Sequence, residues 1–582
     1  MPPIVIRSSP GVVRDTTRFN TPAHTDAHWA RWVNGLPRKI GGYRRLTAGL
    51  AGIASGIHKY SRNGETYVHV GTSQGVQQIR IDASGTVTSV IDRTPPMIAA
   101  NPLYSWKFQV MFDPVINNEV SIIAHSAVHL DEMDTDTQRP AFFGPLTGSG
   151  ALAPLSAPVS QDGYTVTTVT GTTTSGSALV TLVSSTADLR FGQTVTGTGI
   201  PANAYIASVD SASQITLSAN ATASNAGTSL TIKVGGSCGG IVALYPYLFF
   251  YGSSGRIIHS TNANFNDFWG TGSNEAFITA QKIVQAMPTR GGAGNSPSGL
   301  FWSLDSLIRA SFVGGDPVFS YDTVSEGITI MSPRSIIEYD GAHFWMGVDR
   351  FFMYAGAVRE LPNPFNLDHL FASINQTTKN RTFAFRNSRY GEIWWCVPTG
   401  TSEWPNHAFV FNVRSQFWYD TPLPHAGRSC AESALTWPYP MLGGVDATDS
   451  NTYKLWQHET GVDEIDGTDT YAIRSYYQTG DISLLEGQQP QDKELQVIRI
   501  EPDFDQTGDM TVTVLGNHNA RSSDYEESSA TFSAAPDLRA TIVPVKASRR
   551  QMRFRFESNT VGGDYKAGKP LAILNPTGGR AT

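Results

Sequence analysis

Residues 67–81 read YVHVGTSQGVQQIRI. The centre of this stretch, Gly71-Thr-Ser-Gln-Gly75, has the G-x-S-x-G spacing of a hydrolase nucleophile elbow. Such an elbow places its serine between a buried parallel strand and a helix. Here Val68-His-Val70 precedes the motif, and Val76-Gln-Gln-Ile-Arg-Ile81 follows it with the period-two alternation of a strand. The stretch therefore predicts two antiparallel strands over 66–82, joined at GTSQG, with Ser73 a solvated turn residue and no helix after it. A catalytic Ser73 is the disfavoured reading, and the chain is read as all-β.

The same strand–turn–strand pattern recurs outward from this point. Leu248–Ser260 reads LFFYGSSGRIIHS, and Ser335–Tyr354 reads SIIEYDGAHFWMGVDRFFMY. Gly391–Pro398 with His407–Tyr419, and Met441–His458, repeat it. Each resembles one hairpin of a propeller blade, and about five to six blades are expected from this loose periodicity. Helical periodicity is confined to Asn366–Asn375. The expected fold is a β-propeller core with an inserted small β-domain and a C-terminal β-sandwich-like module.

Composition agrees with this class. Of 582 residues, 55 are Gly and 33 Pro, which a turn-dense β-protein needs, and aromatics make up 10%. Charged residues are 16%, below the usual ~25%. The net charge of −7 argues against tight nucleic-acid binding, which needs clustered Lys and Arg. The cysteines Cys238, Cys396 and Cys430 match no zinc or redox spacing, and an odd number excludes a complete disulfide framework. No signal peptide and no transmembrane helix are expected from the N-terminus and the hydropathy pattern.

The domain reading follows composition. Residues 1–50 form an N-terminal interface segment, 51–163 the first part of the propeller, and 234–490 its second part. Residues 164–233 are rich in Thr and Ser yet alternate as strands, which marks an inserted β-domain. Residues 491–582, with long strands such as QMRFRFE, form the C-terminal module.

Candidate chemistry is sparse. His24-Thr-Asp26-Ala-His28 has ligand-type residues but no further ligand, so a polar surface segment is preferred to a metal site. Ser260–Trp269 faintly resembles the aspartate box of sialidase propellers, with Asn262 and Asn264 in place of its Asp and Gly. That box is a structural turn. A basic, aromatic run contains Trp29, Arg31, Trp32, Arg38, Lys39, Arg44 and Arg45. It is read as a subunit interface, with DNA contact as the alternative. The loop Thr289–Ser298, with Arg290, Gly291, Gly292 and Asn295, is a candidate lumen or interface loop, or a plain surface loop. No Walker A or H-E-x-x-H motif occurs. No catalytic, cofactor or metal site is expected, and the chain is not expected to be an enzyme.

Three stretches, 30–46 (ARWVNGLPRKIGGYRRL), 332–398 and 552–580, resemble the tail nozzle proteins (tail tubular protein B type) of short-tailed bacteriophages. Residues 391–395 and the terminal Gly578-Gly579-Arg580 are the more specific parts. The resemblance implies a virion tail protein, made in the bacterial host cytoplasm, that forms a ring of typically six copies. It implies an adaptor protein and fibres or spikes as partners, and a lumen that retains and then passes double-stranded DNA. A glycan-binding adhesin or a host-polymer hydrolase of the tail is the alternative.

Overall fold

The computed structural model describes residues 4–6, 9–18, 21–95, 101–114, 118–156, 164–187, 189, 192–202, 204–234, 236–268, 270–289, 296–432, 439–447, 451–482, 485–486, 489–490, 494–519, 522–534, 543–544 and 548–576. Among them, residues 54–92, 104–154, 240–277, 283–326, 336–361 and 383–422 form six successive antiparallel blades, each with its strands paired in chain order. A seventh blade uses strands Arg428–Glu432, Met441–Ala447 and Tyr453–His458. The fold is thus a β-propeller of seven blades among the described residues, more than the five to six read from the sequence.

The innermost strands of neighbouring blades touch from blade 1 through blade 4 and from blade 5 through blade 7, and Arg428–Glu432 of blade 7 returns to Ala54–Arg62 of blade 1. A separate apolar cluster fills each gap between blades. Trp106 and Val76 lie between blades 1 and 2, Phe143 and Phe250 between 2 and 3, and Phe249 and Phe301 between 3 and 4. Trp302 and Trp345 fill the next gap, and Phe351 and Trp395 the one after. A blade sandwiched between neighbours buries both faces. That is why Glu392–Val397, EIWWCV, is buried at every position instead of alternating.

The chain ends close the molecule. Tyr43–Leu50 pairs with Tyr453–His458 as the fourth strand of blade 7, with Tyr43 opposite His458. Asp26–His28 joins a five-stranded sheet with Ser475–Gln478, Gln551–Ser558, Met510–Asn517 and Tyr525–Phe532. Ala30–Val33 and Leu36–Lys39 share a sheet with Phe504–Gln506 and Tyr565–Ala567. Ile4–Val5 pairs with Leu571–Pro576. The described strands within residues 1–50 fold largely into the C-terminal sheets and blade 7. Those sheets also take in residues 475–478, ahead of the expected boundary at 490.

The Thr/Ser-rich insertion holds two three-stranded sheets, with Tyr164–Thr173 as its first strand and Asn225–Val234 as its last. They enclose a core of their own containing Val169, Val195, Ile206, Ile215, Leu230 and Ile232. It splits the outer strand of blade 2. Ala153-Pro154 pairs with Phe142-Phe143 before the insertion, and Gly236-Ser237 pairs with Arg139-Pro140 after it. The helix expected at 366–375 is Leu367–Ser373, and the Asp15 carboxylate accepts hydrogen bonds from the backbone amides of Asp368 (2.9 Å) and His369 (2.8 Å).

Candidate functional site

Ser73 lies where the sequence places it, in a two-residue turn. Glu65–Thr72 and Gly75–Ile81 pair with Thr72 opposite Gly75, and the chain continues as a strand. The glycines answer to neighbours rather than to catalysis. A Cβ on Gly71 would stand 2.1 Å from Trp106 of blade 2, and Gly75, at φ +147°, abuts Thr94. The Trp106 indole donates to Thr72 O at 3.0 Å, so the motif seats one blade on the next.

The His24-to-His28 segment is not a polar surface segment. His24 is fully buried, with Nδ1 3.1 Å from Ser9 O, and burial pushes its pKa down to about 4. Asp26 pairs with Arg14 at 2.9 Å, and the His28 ring stacks on Tyr476. Tyr476 also donates to Asp26 at 2.9 Å, whereas His24 has neighbours of its own, and no group of metal-ligating side chains forms among the described residues. Asn262 and Asn264 lie in the turn between the third and fourth strands of blade 3, where Thr261 N donates to Asp267 O.

The basic run divides. Trp29 and Trp32 are 2% exposed, Arg31 0% and Lys39 3%, so these four cannot be surface anchors for a partner or for DNA. Arg31 is the centre of a buried ion cluster. Nη1 donates to Glu459 Oε2 at 3.0 Å, and Nη2 reaches Glu459 Oε1 and, at 3.2 Å, Glu392 Oε2. Asn387, Trp394 and Tyr419 donate to the same two carboxylates. Burial disfavours the Arg31 cation, but Glu392 and Glu459 outweigh it and hold its pKa above the ordinary value. Burial also raises the Glu392 pKa, against the pull of Arg31. Lys39 donates to Gly563 O at 2.6 Å. Arg38, Arg44 and Arg45 stay half-buried: Arg38 lies 4.0 Å from Asp564, Arg45 2.7 Å from Asp466, and Arg44 donates to Gln457 and Gly85 O.

Arg290, Gly291, Gly292 and Asn295 lie outside the described residues. Their flanks, Thr289 and Ser296, line a cleft of about 640 Å³ between blades 4 and 5, together with Arg309, Phe312, Asp340 and Tyr354.

The feature that the sequence reading missed sits on the propeller axis. Residues 130–138, LDEMDTDTQ, join the second and third strands of blade 2 and cross the mouth of the ring. The Asp131 carboxylate takes Arg381 Nε at 2.6 Å and Nη2 at 2.9 Å, just ahead of the innermost strand of blade 6. Lys282, just ahead of the innermost strand of blade 4, donates to Thr135 O, and Met133 packs into the core between blades 4 and 5. Cys238 Sγ lies 3.7 Å from Asp136 beside blade 3. One strap thus touches blades 3, 4, 5 and 6 and covers this end of the axis. Its signal was present as a local excess of acid, Asp131, Glu132, Asp134 and Asp136, in a chain otherwise poor in charge.

No protein-family model matches the chain, and no curated protein does. Solved structures resemble it distantly. The computationally designed Ika8 protein is similar over 72% of this chain and 99% of its own, at 12% identity and a TM-score of 0.32. BBS1N, solved in complex with ARL6DN, is similar over 72% of this chain and 96% of its own, at 8% identity and a TM-score of 0.35. The phage phi92 endosialidase is similar over 72% of this chain and 68% of its own, at 12% identity and a TM-score of 0.27.

Proposed function

We propose that the chain is a structural virion protein, the ring-forming tail nozzle subunit of a short-tailed bacteriophage, which builds the distal tail channel, retains packaged DNA and conducts it at ejection. One observation carries the reading: the three stretches that bear the family resemblance, far apart in sequence, meet in one core. Trp32, Ile40 and Tyr43 from the first pack with Phe385 and Trp394 from the second and Phe554 and Phe556 from the third. Arg31 is bonded to Glu392 across the first two, and Lys39 to Gly563 O across the first and third. A set of residues that build one core together explains why they would be kept together in a family.

The role is structural rather than catalytic. Six copies around a lumen, an adaptor above, fibres or spikes outside and duplex DNA passing within are the partners the reading implies, with the virion tail as the location. The rigid ring of blades suits large permanent contacts. Mass spectrometry of purified virions together with cryo-electron microscopy of their tails tests it. A ring of this chain below the adaptor is expected, and absence of the chain from virions defeats the reading.

A tail adhesin is the second reading, favoured by the position of the insertion. Residues 164–234 project from the outer strand of blade 2 with a separate core. Virions lacking the insertion would then assemble but fail to adsorb, and unchanged adsorption removes this reading.

A further inference from the structure

The covered mouth of the propeller is basic, and its cover is acidic. Lys282, Arg334 and Arg381 stand just ahead of the innermost strands of blades 4, 5 and 6. Arg334 donates to Ser429 O at 3.0 Å and to Arg381 O at 2.8 Å, while its Nε is buried without an acceptor. Lys107 lies deeper, donating to Tyr251 Oη at 2.7 Å and Gln285 Oε1 at 2.6 Å. Against these cations the strap brings Asp131, Glu132, Asp134 and Asp136. Asp131 pairs with Arg381 and acts through space on Arg334, and Asp134 and Asp136 act on Lys282. Glu403, from blade 6, is the second carboxylate on Arg381, at 2.7 Å.

We propose that residues 130–138 are a built-in acidic cover that keeps the phosphates of nucleic acid off a basic axial mouth. Three clustered cations are the kind of site that captures a phosphate backbone. A carboxylate loop held at both ends by strands Glu119–His129 and Arg139–Pro145 competes at an effective concentration of about millimolar or above. Met133, half-buried against the core between blades 4 and 5, fixes the strap so that its carboxylates stay over the mouth. The inference rests on these contacts and holds whether or not the chain belongs to a virion.

The test is fluorescence anisotropy of a short labelled DNA duplex with the full-length protein at low salt. The Asp131→Asn/Glu132→Gln/Asp134→Asn/Asp136→Asn variant is expected to bind at least about tenfold tighter than the wild type, with a steep salt dependence. The milder Asp134→Asn/Asp136→Asn variant removes exposed carboxylates only and is expected to gain about threefold. Adding Lys282→Ala to either should abolish most of the gain. Asp349→Asn/Glu360→Gln, which changes net charge at the remote Arg350 pairs, should gain nothing. No gain in the milder variant, a gain that survives Lys282→Ala, or an equal gain in the remote variant overturns the proposal.

Discussion

Arg31 shows how differently one residue reads in sequence and in space. In the run WARWVNGLPRKIGGYRR it looks like a surface cation, because its neighbours are Trp, Arg and Lys. In the fold it is fully buried between Glu392 and Glu459, partners more than 350 positions away that no local pattern reveals. Removing one partner of a buried ion set leaves the others uncompensated. Arg31→Met is therefore expected to cost about 3–5 kcal/mol in chemical denaturation, with Glu392→Gln recovering part of the loss in the double variant. Asp420 supplies a pH signature. Burial alone would raise its pKa, but Arg14 and His407 hold the carboxyl well below its usual range. A depressed carboxylate stabilises the fold above its unfolded pKa of about 3.9, and the contribution fades as pH falls through the folded value. Urea midpoints measured from pH 7 to 2.5 should fall on the acid side in the wild type, whereas Asp420→Asn should be weaker at pH 7 and lose less on acidification. Ser73 was legible for the opposite reason: the alternation on both sides of its turn is local.

At the scale of elements, legibility tracked length and periodicity. Strands of eight or nine residues in blade 1 carry their own alternation, and GTSQG could be read directly. The two fragments of the outer strand of blade 2 have two residues each and carry none. Blade 7 showed its hairpin Met441–His458 but not its fourth strand, Tyr43–Leu50, which lies some 400 positions before its third, and blades 2 and 4 were the ones not read. The insertion was legible by composition, and its boundaries agree with its strands to one residue. Its two ends, Pro154 opposite Phe142 and Gly236 opposite Pro140, lie two residues apart along Arg139–Pro145, about 7 Å. Replacing residues 157–235 with a four- to six-residue Gly/Ser linker should thus leave the propeller folded (about three residues already span that gap). Circular dichroism should be retained and the melting temperature should change by no more than a few degrees; an aggregated product would show that the insertion core supports the ring. The strap escaped notice because loops have no period, and its meaning comes from cations on blades 4 to 6.

The whole molecule is one closed object despite its modular sequence. Strands from the first 50 residues complete blade 7 and three sheets built with residues 475–576. A chain truncated after residue 490 would strip strand partners from Ile4–Val5 and Leu36–Lys39 and packing partners from the buried Trp32. It should be recovered as insoluble or protease-sensitive material rather than as a free propeller, and a soluble, cooperatively melting fragment would contradict this. The same closure sets a timetable for synthesis. Strand Ile4–Val5 is made more than 560 positions ahead of its partner Leu571–Pro576. At about 5–20 residues per second, the leading strands wait roughly half a minute to two minutes on the ribosome without their partners. A chain that stops before residue 571 cannot complete the terminal sheets, so a ribosome that stalls late delivers a chain fit for proteolysis rather than for assembly.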